Sequence, residues 1–265
     1  MENNLFAKII EEKYDRFESN FVIDASDFLT PEEQSSVLRF VRSKASDGVF
    51  FFGGYAESER NLVLFMPEYT GISSSNSIDD ILKYFSENPD DCPLGVLEIR
   101  IPPHEPSKPG HRDYLGSLMG EGIRREKIGD IIVYDGGAQI IAKKELLSYL
   151  CDHLTSVGRA SVLTSVQPLS ALKISEIKRE SLSFNVASPR LDNVVSAVFG
   201  LSRKSAVEAI SRGLVFISGA ETTKPDYTLK DGDKIVLRGK GKAIYNGVTG
   251  LSKKGKSYIR VTKYI

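Results

Sequence analysis

The chain has 265 residues, of which 41% are hydrophobic and 26% are charged, as in ordinary globular proteins. No apolar run approaches the roughly eighteen residues that a membrane-spanning helix requires, and the polar, acidic start is unlike a secretion signal. The two cysteines, Cys92 and Cys151, are too few for a disulfide framework or a zinc site. We therefore expect a cytoplasmic protein with reduced thiols and no membrane partner.

The net charge of zero conceals an asymmetry along the chain. Residues 1–100 contain nine Lys and Arg against 19 Asp and Glu, whereas residues 181–265 contain 15 against six. Charge of one sign concentrated at one end attracts partners of the opposite sign. The basic C-terminal segment is therefore the candidate for binding a polyanion such as a nucleic acid.

The first segment, residues 1–90, is predicted to be a small N-terminal α/β domain. Thr30, Pro31 and the two acids after them are a strong helix start, because a capping residue precedes a proline and acids suit the positive helix end. That helix is expected to end near Ala45. Two apolar runs, VFFFGGY at 49–55 and RNLVLFMP at 60–67, then predict a β-hairpin around the two glycines.

The second segment, residues 91–175, is predicted to be a ferredoxin-like domain. LGVLEIRI at 94–101 predicts a buried strand, HRDYLGSLMGEGI at 111–123 a helix, and DGG at 135–137 a tight turn between two strands. An amphipathic helix at 143–154 and a last strand at 159–166 complete the pattern. This βαββαβ order is shared with the four-stranded RNA-recognition modules and with many unrelated proteins, so it does not define a function.

The third segment, residues 181–265, is predicted to place two short helices on a small twisted sheet. Apolar residues recur at helical spacing from Leu191 to Val198, and Gly200 ends that helix. Ser202 caps a second helix, which ends at Gly213. Short apolar strands follow, separated by turns that contain glycine and lysine. The chain as a whole is therefore predicted to be an α+β protein of three small domains.

The second helix carries two cations, Arg203 and Lys204, in its first turn. The helix macrodipole makes that end partly positive, so each cation there costs roughly 0.3–1 kcal/mol. A helix that only had to be stable would more often carry acids at these positions. The pattern indicates that an anion outside the chain is bound there.

The segment that starts at residue 190 resembles the S4 domain, the RNA-binding domain named after ribosomal small-subunit protein S4, whose core is the αL motif. The resemblance covers about fifty residues. The matching motifs are Arg190-Leu191-Asp192, Leu201-Ser202-Arg203, Arg212-Gly213-Leu214-Val215, Gly219, Lys224-Pro225 and Asp231-Gly232-Asp233.

Two further stretches, FFGGYAESER at 51–60 and HRDYLGSLMGEGIRREKIGDI at 111–131, resemble the YlmH family of bacterial and plastid proteins. That resemblance extends over nearly the whole chain. It implies a ribosome-associated RNA-binding protein that acts on the large subunit beside peptidyl-tRNA, in the rescue of stalled nascent chains. It also implies a monomer in the bacterial cytoplasm or the plastid stroma, with structured RNA, rRNA and tRNA among its partners.

The resemblance to the S4 domain also implies which residues contact RNA phosphate. The alternative is a solvated basic surface with no ligand. The residues implied by the motif are Arg190, Ser202, Arg203, Lys204, Arg212 and Lys224. Further lysines would widen this surface electrostatically: Lys240, Lys242, Lys253, Lys254 and Lys256. A second RNA contact is expected in the middle domain, where the alternative is a solvated helix end: His111, Arg112, Arg124, Arg125 and Lys127.

Three functions remain open from the sequence. The leading hypothesis is a non-catalytic RNA-binding factor on the ribosome, with no catalytic residue, metal site or cofactor. The alternative is an RNA-modifying enzyme similar to pseudouridine synthases, which carry an Arg-Leu-Asp in their active site and use an S4 domain as an RNA anchor. A third possibility is a scaffold whose acidic first domain binds a basic protein or orients the molecule by repulsion from RNA.

Overall fold

The computed structural model describes residues 2–73, 75–174, 179–218, 220–252 and 255–264. The chain forms two compact units, residues 1–174 and residues 175–265. Within the described ranges, no helix has both the length and the apolar character needed to cross a bilayer. Both units combine helices with sheets whose described strand pairs are antiparallel, so the predicted α+β class is confirmed.

The first unit contains five α-helices and nine strands among its described residues. The elements are, in chain order, α1 (Glu2–Asn20), β1 (Asp24–Ala25), α2 (Pro31–Ser43), β2 (Val49–Phe52), β3 (Leu62–Phe65), α3 (Ile78–Glu87), β4 (Leu94–Arg100), α4 (His111–Gly120), β5 (Ile128–Tyr134), β6 (Gly137–Lys143), α5 (Lys144–His153), β7 (Ser156–Val157), β8 (Ala160–Ser161) and β9 (Leu163–Gln167).

Local signals explain why several of these elements begin where they do. The hydroxyl of Thr30 accepts from the amide of Glu33, and the Glu33 carboxylate accepts from the amide of Thr30, so α2 starts with the predicted cap. Strands β2 and β3 pair in antiparallel register, as the two apolar runs predicted. Residues 53–61 connect them, however, so the connection is a long loop rather than a tight turn at Gly53 and Gly54.

The predicted βαββαβ unit is present, with strand order β5-β6-β4-β9 and antiparallel pairing throughout. Helices α4 and α5 pack on one face of this sheet, where Tyr114 and Leu147 are buried. The other face shares a core with the first ninety residues, since Phe28 and Phe52 pack in one cluster with Val96. The predicted boundary near residue 90 therefore lies inside one compact unit. We retain the three-domain division as a proposal.

The second unit is built around a six-stranded sheet of order β10-β15-β14-β13-β11-β12. Its elements are β10 (Arg179–Val186), α6 (Leu191–Phe199), α7 (Arg203–Ser211), β11 (Val215–Ile217), β12 (Ala220–Glu221), β13 (Lys234–Leu237), β14 (Gly241–Leu251) and β15 (Ser257–Tyr264). Helices α6 and α7 and one face of the sheet form a single apolar core, in which Val194, Ile210 and Ile259 are fully buried. Strand β10 was not predicted from the sequence.

The glycine at position 48 gives a test of the first unit's packing. Gly48 has φ of 83°, and a Cβ there would lie 1.9 Å from the carbonyl oxygen of Met66. Gly71 has φ of 68° but has no atom within 4 Å of its Cβ position. Gly71→Ala therefore adds only backbone strain, about 1–2 kcal/mol, whereas Gly48→Ala must also displace the backbone of the buried Met66.

We expect Gly48→Ala to lower the free energy of unfolding by at least about 2 kcal/mol more than Gly71→Ala does. Urea unfolding followed by far-ultraviolet circular dichroism measures both variants. Equal losses in the two variants would contradict the close approach of Gly48 to Met66.

Candidate nucleic-acid interface

Helices α6 and α7 are joined by a short turn that brings their first residues to adjacent positions. Gly200 has φ of 64°, a left-handed conformation that glycine adopts without strain, and it ends α6. Ser202 then caps α7, because its hydroxyl accepts from the amide of Ser205 at 3.0 Å. The predicted capping role of Ser202 is confirmed.

A buried carboxylate connects the two helices. Asp192 lies in the first turn of α6, and 2% of its side chain is exposed. Arg190 donates from Nε to Oδ1 of Asp192 at 3.2 Å, and Arg203 donates from Nη2 to Oδ2 at 3.1 Å. The amide of Asn193 also donates to Oδ1, at 3.0 Å. Asp192 therefore fixes two arginines that come from different elements.

Opposing effects act on the charge of Asp192. Burial alone would raise the pKa of its carboxyl group, but the hydrogen bonds from Arg203 and Arg190 outweigh burial and hold the pKa below its usual range. The group is therefore ionised at neutral pH. Its negative charge offsets the cost of placing Arg203 at the positive end of α7.

The two arginines keep part of their hydrogen-bonding capacity. Their side chains are 42% exposed for Arg190 and 63% exposed for Arg203. Each guanidinium has five N–H donors and uses Nε and Nη2 in bonds to Asp192. Within the described part of the chain, the remaining donors form no hydrogen bond, so they are available to an external acceptor.

Two lysines lie next to this pair. Lys204 is exposed in the first turn of α7. Lys224 is exposed in a turn whose next residue, Pro225, accepts a hydrogen bond from the amide of Asp192 at 3.0 Å. The first turns of both helices and the turn at 224–225 therefore form one surface, the helix-end surface, which consists of Arg190, Ser202, Arg203, Lys204 and Lys224.

The other predicted C-terminal residues lie elsewhere. Arg212 is the C-terminal cap of α7, so a nine-residue helix of about 13 Å separates it from Arg203. Lys240 lies in the turn between β13 and β14 and Lys242 follows at the start of β14, whereas Lys256 comes after the far end of that strand, roughly 30 Å away. Three predicted motif or contact residues lie outside the described residues: Gly219, Lys253 and Lys254.

The predicted second contact in the first unit is not assembled by the structure. His111 and Arg112 are exposed at the start of α4, whereas Arg124 follows its other end, about 15 Å along the helix axis. Arg124 also lies 3.2 Å from a carboxylate oxygen of Glu126. The expectation that His111 and Arg112 lie near Arg124 is therefore corrected, because α4 separates them.

Two more residues of that set are held by intramolecular partners. Arg125 donates to the carbonyl oxygen of Ile128, and burial, aided by the nearby charge of Arg60, lowers its pKa to about 10. Lys127 lies 2.8 Å from a carboxylate oxygen of Asp27, and its side chain is 22% exposed. These contacts stabilise the first unit, so we leave Arg125 and Lys127 out of the proposed interface.

The Arg-Leu-Asp motif by itself does not reveal the role of Asp192, because its partner Arg203 lies 11 residues further along the chain. The signal for a buried ion pair is an acid that lies between buried apolar positions of a helix and follows an arginine by two residues. No group of three or more metal-ligating side chains is placed to hold an ion in the described part of the chain. Both cysteines are free thiols, and Cys92 is buried.

Two family models match parts of this chain. A family model described as the S4 domain matches residues 189–235, and one described as a putative RNA-binding domain in YlmH matches residues 88–171. The chain is therefore a protein with two domains of RNA-binding families. It is 30% identical over 249 residues to "Ribosome-associated protein quality control protein P2" of Bacillus subtilis, across 94% of this chain and 88% of that protein. The chain belongs to the YlmH family.

Two other matches are more limited. "Small ribosomal subunit protein uS4" of Rhodopirellula baltica is 44% identical over 62 residues, which are 22% of this chain and 31% of that protein. The solved structure titled "Cell division protein ylmH from Streptococcus pneumoniae" aligns with a TM-score of 0.47 at 20% identity, over 64% of this chain and 93% of that one.

Replacing the buried acid tests the ion-pair arrangement. Asp192→Asn keeps the side-chain size but removes the charge, so we expect the free energy of unfolding at pH 7 to fall by about 1–3 kcal/mol. A carboxyl group whose folded pKa is lowered contributes stability above its unfolded pKa, about 3.9. That contribution is lost as the pH falls through the folded pKa. The difference between wild type and variant is therefore expected to shrink below about pH 4.

Urea unfolding at pH 7 and at pH 3 measures this difference. Asp226→Asn, at an exposed turn position, is the matched control and is expected to change stability by less than about 0.5 kcal/mol. The ion-pair arrangement would be contradicted if Asp192→Asn had the same free energy of unfolding as the wild type at pH 7. A larger loss of stability at pH 3 than at pH 7 would also contradict it.

Proposed function

We propose that this protein is a non-catalytic RNA-binding factor that associates with the large ribosomal subunit and acts in the rescue of stalled nascent chains. Its helix-end surface contacts the phosphate backbone of structured ribosomal RNA, with tRNA as a second RNA partner. The observation that carries the proposal is the pair of arginines held by Asp192. The name of the Bacillus subtilis relative, a ribosome-associated protein quality control protein, supports the ribosomal setting.

The charges of the helix-end surface favour an anionic ligand. Arg190 and Arg203 together exceed the charge of Asp192 by one, and exposed Lys204 and Lys224 add two more positive charges. Guanidinium groups fixed in place lose little freedom when they bind phosphate, and they can donate two parallel bonds to it. The start of α7 adds backbone amides and the positive helix end. Backbone phosphate is the RNA component that fits all of these features.

The alternative of a pseudouridine-synthase-like enzyme is less well supported. In such an enzyme, the aspartate of the Arg-Leu-Asp motif must be able to reach the RNA base. Both carboxylate oxygens of Asp192 accept hydrogen bonds from arginines, and the side chain is buried. An assay for uridine modification of ribosomal RNA is the direct check, and turnover would overturn the non-catalytic proposal.

The acidic first segment supports an orienting role. Residues 1–100 carry ten more acids than bases, whereas the C-terminal segment is basic. Repulsion of the acidic segment from RNA would favour encounters that present the helix-end surface first. A basic ribosomal protein that binds the acidic segment is the other possible use of this charge.

Charge reversal at the two lysines tests the proposal without breaking the Asp192 ion pairs. We expect Lys204→Glu/Lys224→Glu to weaken co-sedimentation with purified large ribosomal subunits at least tenfold. The slope of log affinity against log salt should fall by about two, because each lysine that contacts phosphate contributes about one.

The control is Lys8→Glu/Lys83→Glu, which makes the same change of charge at exposed positions of the acidic segment. We expect this variant to sediment like the wild type. Unchanged co-sedimentation of a folded Lys204→Glu/Lys224→Glu variant would contradict the assignment of the helix-end surface.

A further inference from the structure

The six-stranded sheet of the second unit has a face that α6 and α7 do not cover. Residues directly opposite in antiparallel strands project from the same face. Because Ala243, Ile259 and Val261 lie in the core beneath the helices, their neighbours along each strand project from the opposite face. This outer face includes Ile244, which pairs with both Thr262 and Lys234.

The register places a group of cations on the outer face. Arg179 is opposite Tyr264, Ser183 is opposite Arg260, and Val236 is opposite both Lys242 and Phe216. We call the following residues the outer sheet surface: Arg179, Lys234, Arg238, Lys242, Tyr258, Arg260 and Tyr264. Glu221 on the edge strand lies opposite Phe216 and therefore belongs to the same face. It is the one acid among the described strand residues of this face.

Aromatic rings lie close to three of these cations. The guanidinium carbon of Arg238 lies 4.5 Å from the centre of the Phe216 ring, and Lys234 Nζ lies 5.8 Å from that of Tyr264. Arg179 lies 5.3 Å from the Tyr264 ring. A ring orients a cation but does not neutralise it. In the described part of the chain, Lys234, Arg238 and Arg260 form no ion pair with an acid, so the surface keeps a positive potential.

The composition of the surface indicates an RNA partner rather than a protein one. Protein interfaces are depleted of lysine in their centres, whereas cations interleaved with aromatic side chains are typical of surfaces that follow a nucleic-acid backbone. Tyr258, 43% exposed and opposite Asn185, adds a ring on which an unpaired base can stack.

We propose that the outer sheet surface binds the phosphate backbone of a second RNA segment, so that the C-terminal unit holds RNA on two opposite faces. The inference rests on the proposed function, because the helix-end surface supplies the first RNA contact. Strands β10, β14 and β15, which build most of the second surface, lie outside residues 189–235, the range that matches the S4 domain. The second contact is therefore an addition of this chain to that domain.

A bridging assay tests the second surface. An immobilised 20-base-pair RNA duplex is incubated with protein and then with the same duplex carrying a fluorophore. We expect the wild type to retain the fluorescent duplex. Lys234→Glu/Arg260→Glu should bind a single duplex through the helix-end surface but retain less than about a tenth of the fluorescence. Lys234→Gln/Arg260→Gln, a milder change, should give an intermediate loss.

The control variants separate this inference from the proposed function. Lys8→Glu/Lys83→Glu should bridge like the wild type, and Lys204→Glu/Lys224→Glu should lose bridging while it still binds one duplex through the sheet. Sedimentation must show the same molecular mass for all variants, so that a change of oligomeric state does not imitate bridging.

Normal bridging by folded Lys234→Glu/Arg260→Glu would overturn the second surface and leave the proposed function intact. Displacement of RNA from the Lys204→Glu/Lys224→Glu variant by poly-glutamate at an equal concentration of charge would assign the surface to acidic proteins instead. A wild-type protein that binds no duplex even at low salt would overturn the proposed function as well.

Discussion

The buried carboxylate of Asp192 is the constraint on which the C-terminal unit depends. A buried ion pair often costs as much in desolvation as it returns in attraction, so it is weak evidence for stability alone. Here the acid is buried while both of its arginines are partly exposed, with side chains 42% and 63% accessible. The arrangement therefore fixes the direction of two cations at the surface, where a phosphate can reach them.

This constraint links the sequence to the fold. Arg203 is unfavourable at the positive end of α7, and the sequence alone suggested an external anion as the compensation. The structure provides an internal one, because Asp192 from α6 pairs with Arg203 across the helix junction. The two compensations are compatible, since one carboxylate cannot neutralise Arg190, Arg203, Lys204 and Lys224 together. The remaining positive charge is what we assign to RNA.

Much of the fold could be predicted from local patterns. The cap at Ser202, the capping box at Thr30 and the alternating strands of the βαββαβ unit depend on neighbouring residues, and all are present. Contacts between distant segments could not be predicted in this way. The first ninety residues share a core with the sheet that follows, and Lys127 pairs with Asp27, a hundred positions earlier. Spacing along a chain defines a helix face but does not identify the residue that packs against it.

The most direct measurement is the affinity of the Asp192→Asn variant for purified large ribosomal subunits, measured by co-sedimentation. Removal of one negative charge strengthens attraction to RNA by about 1 kcal/mol or less in water. Loss of the fixed arginine geometry removes charge-assisted hydrogen bonds worth about 1.5–3 kcal/mol each. Our account predicts that the folded variant binds more weakly, although it is more positive. Binding that is equal to or tighter than that of the wild type would contradict it, because net charge alone would then explain the interface.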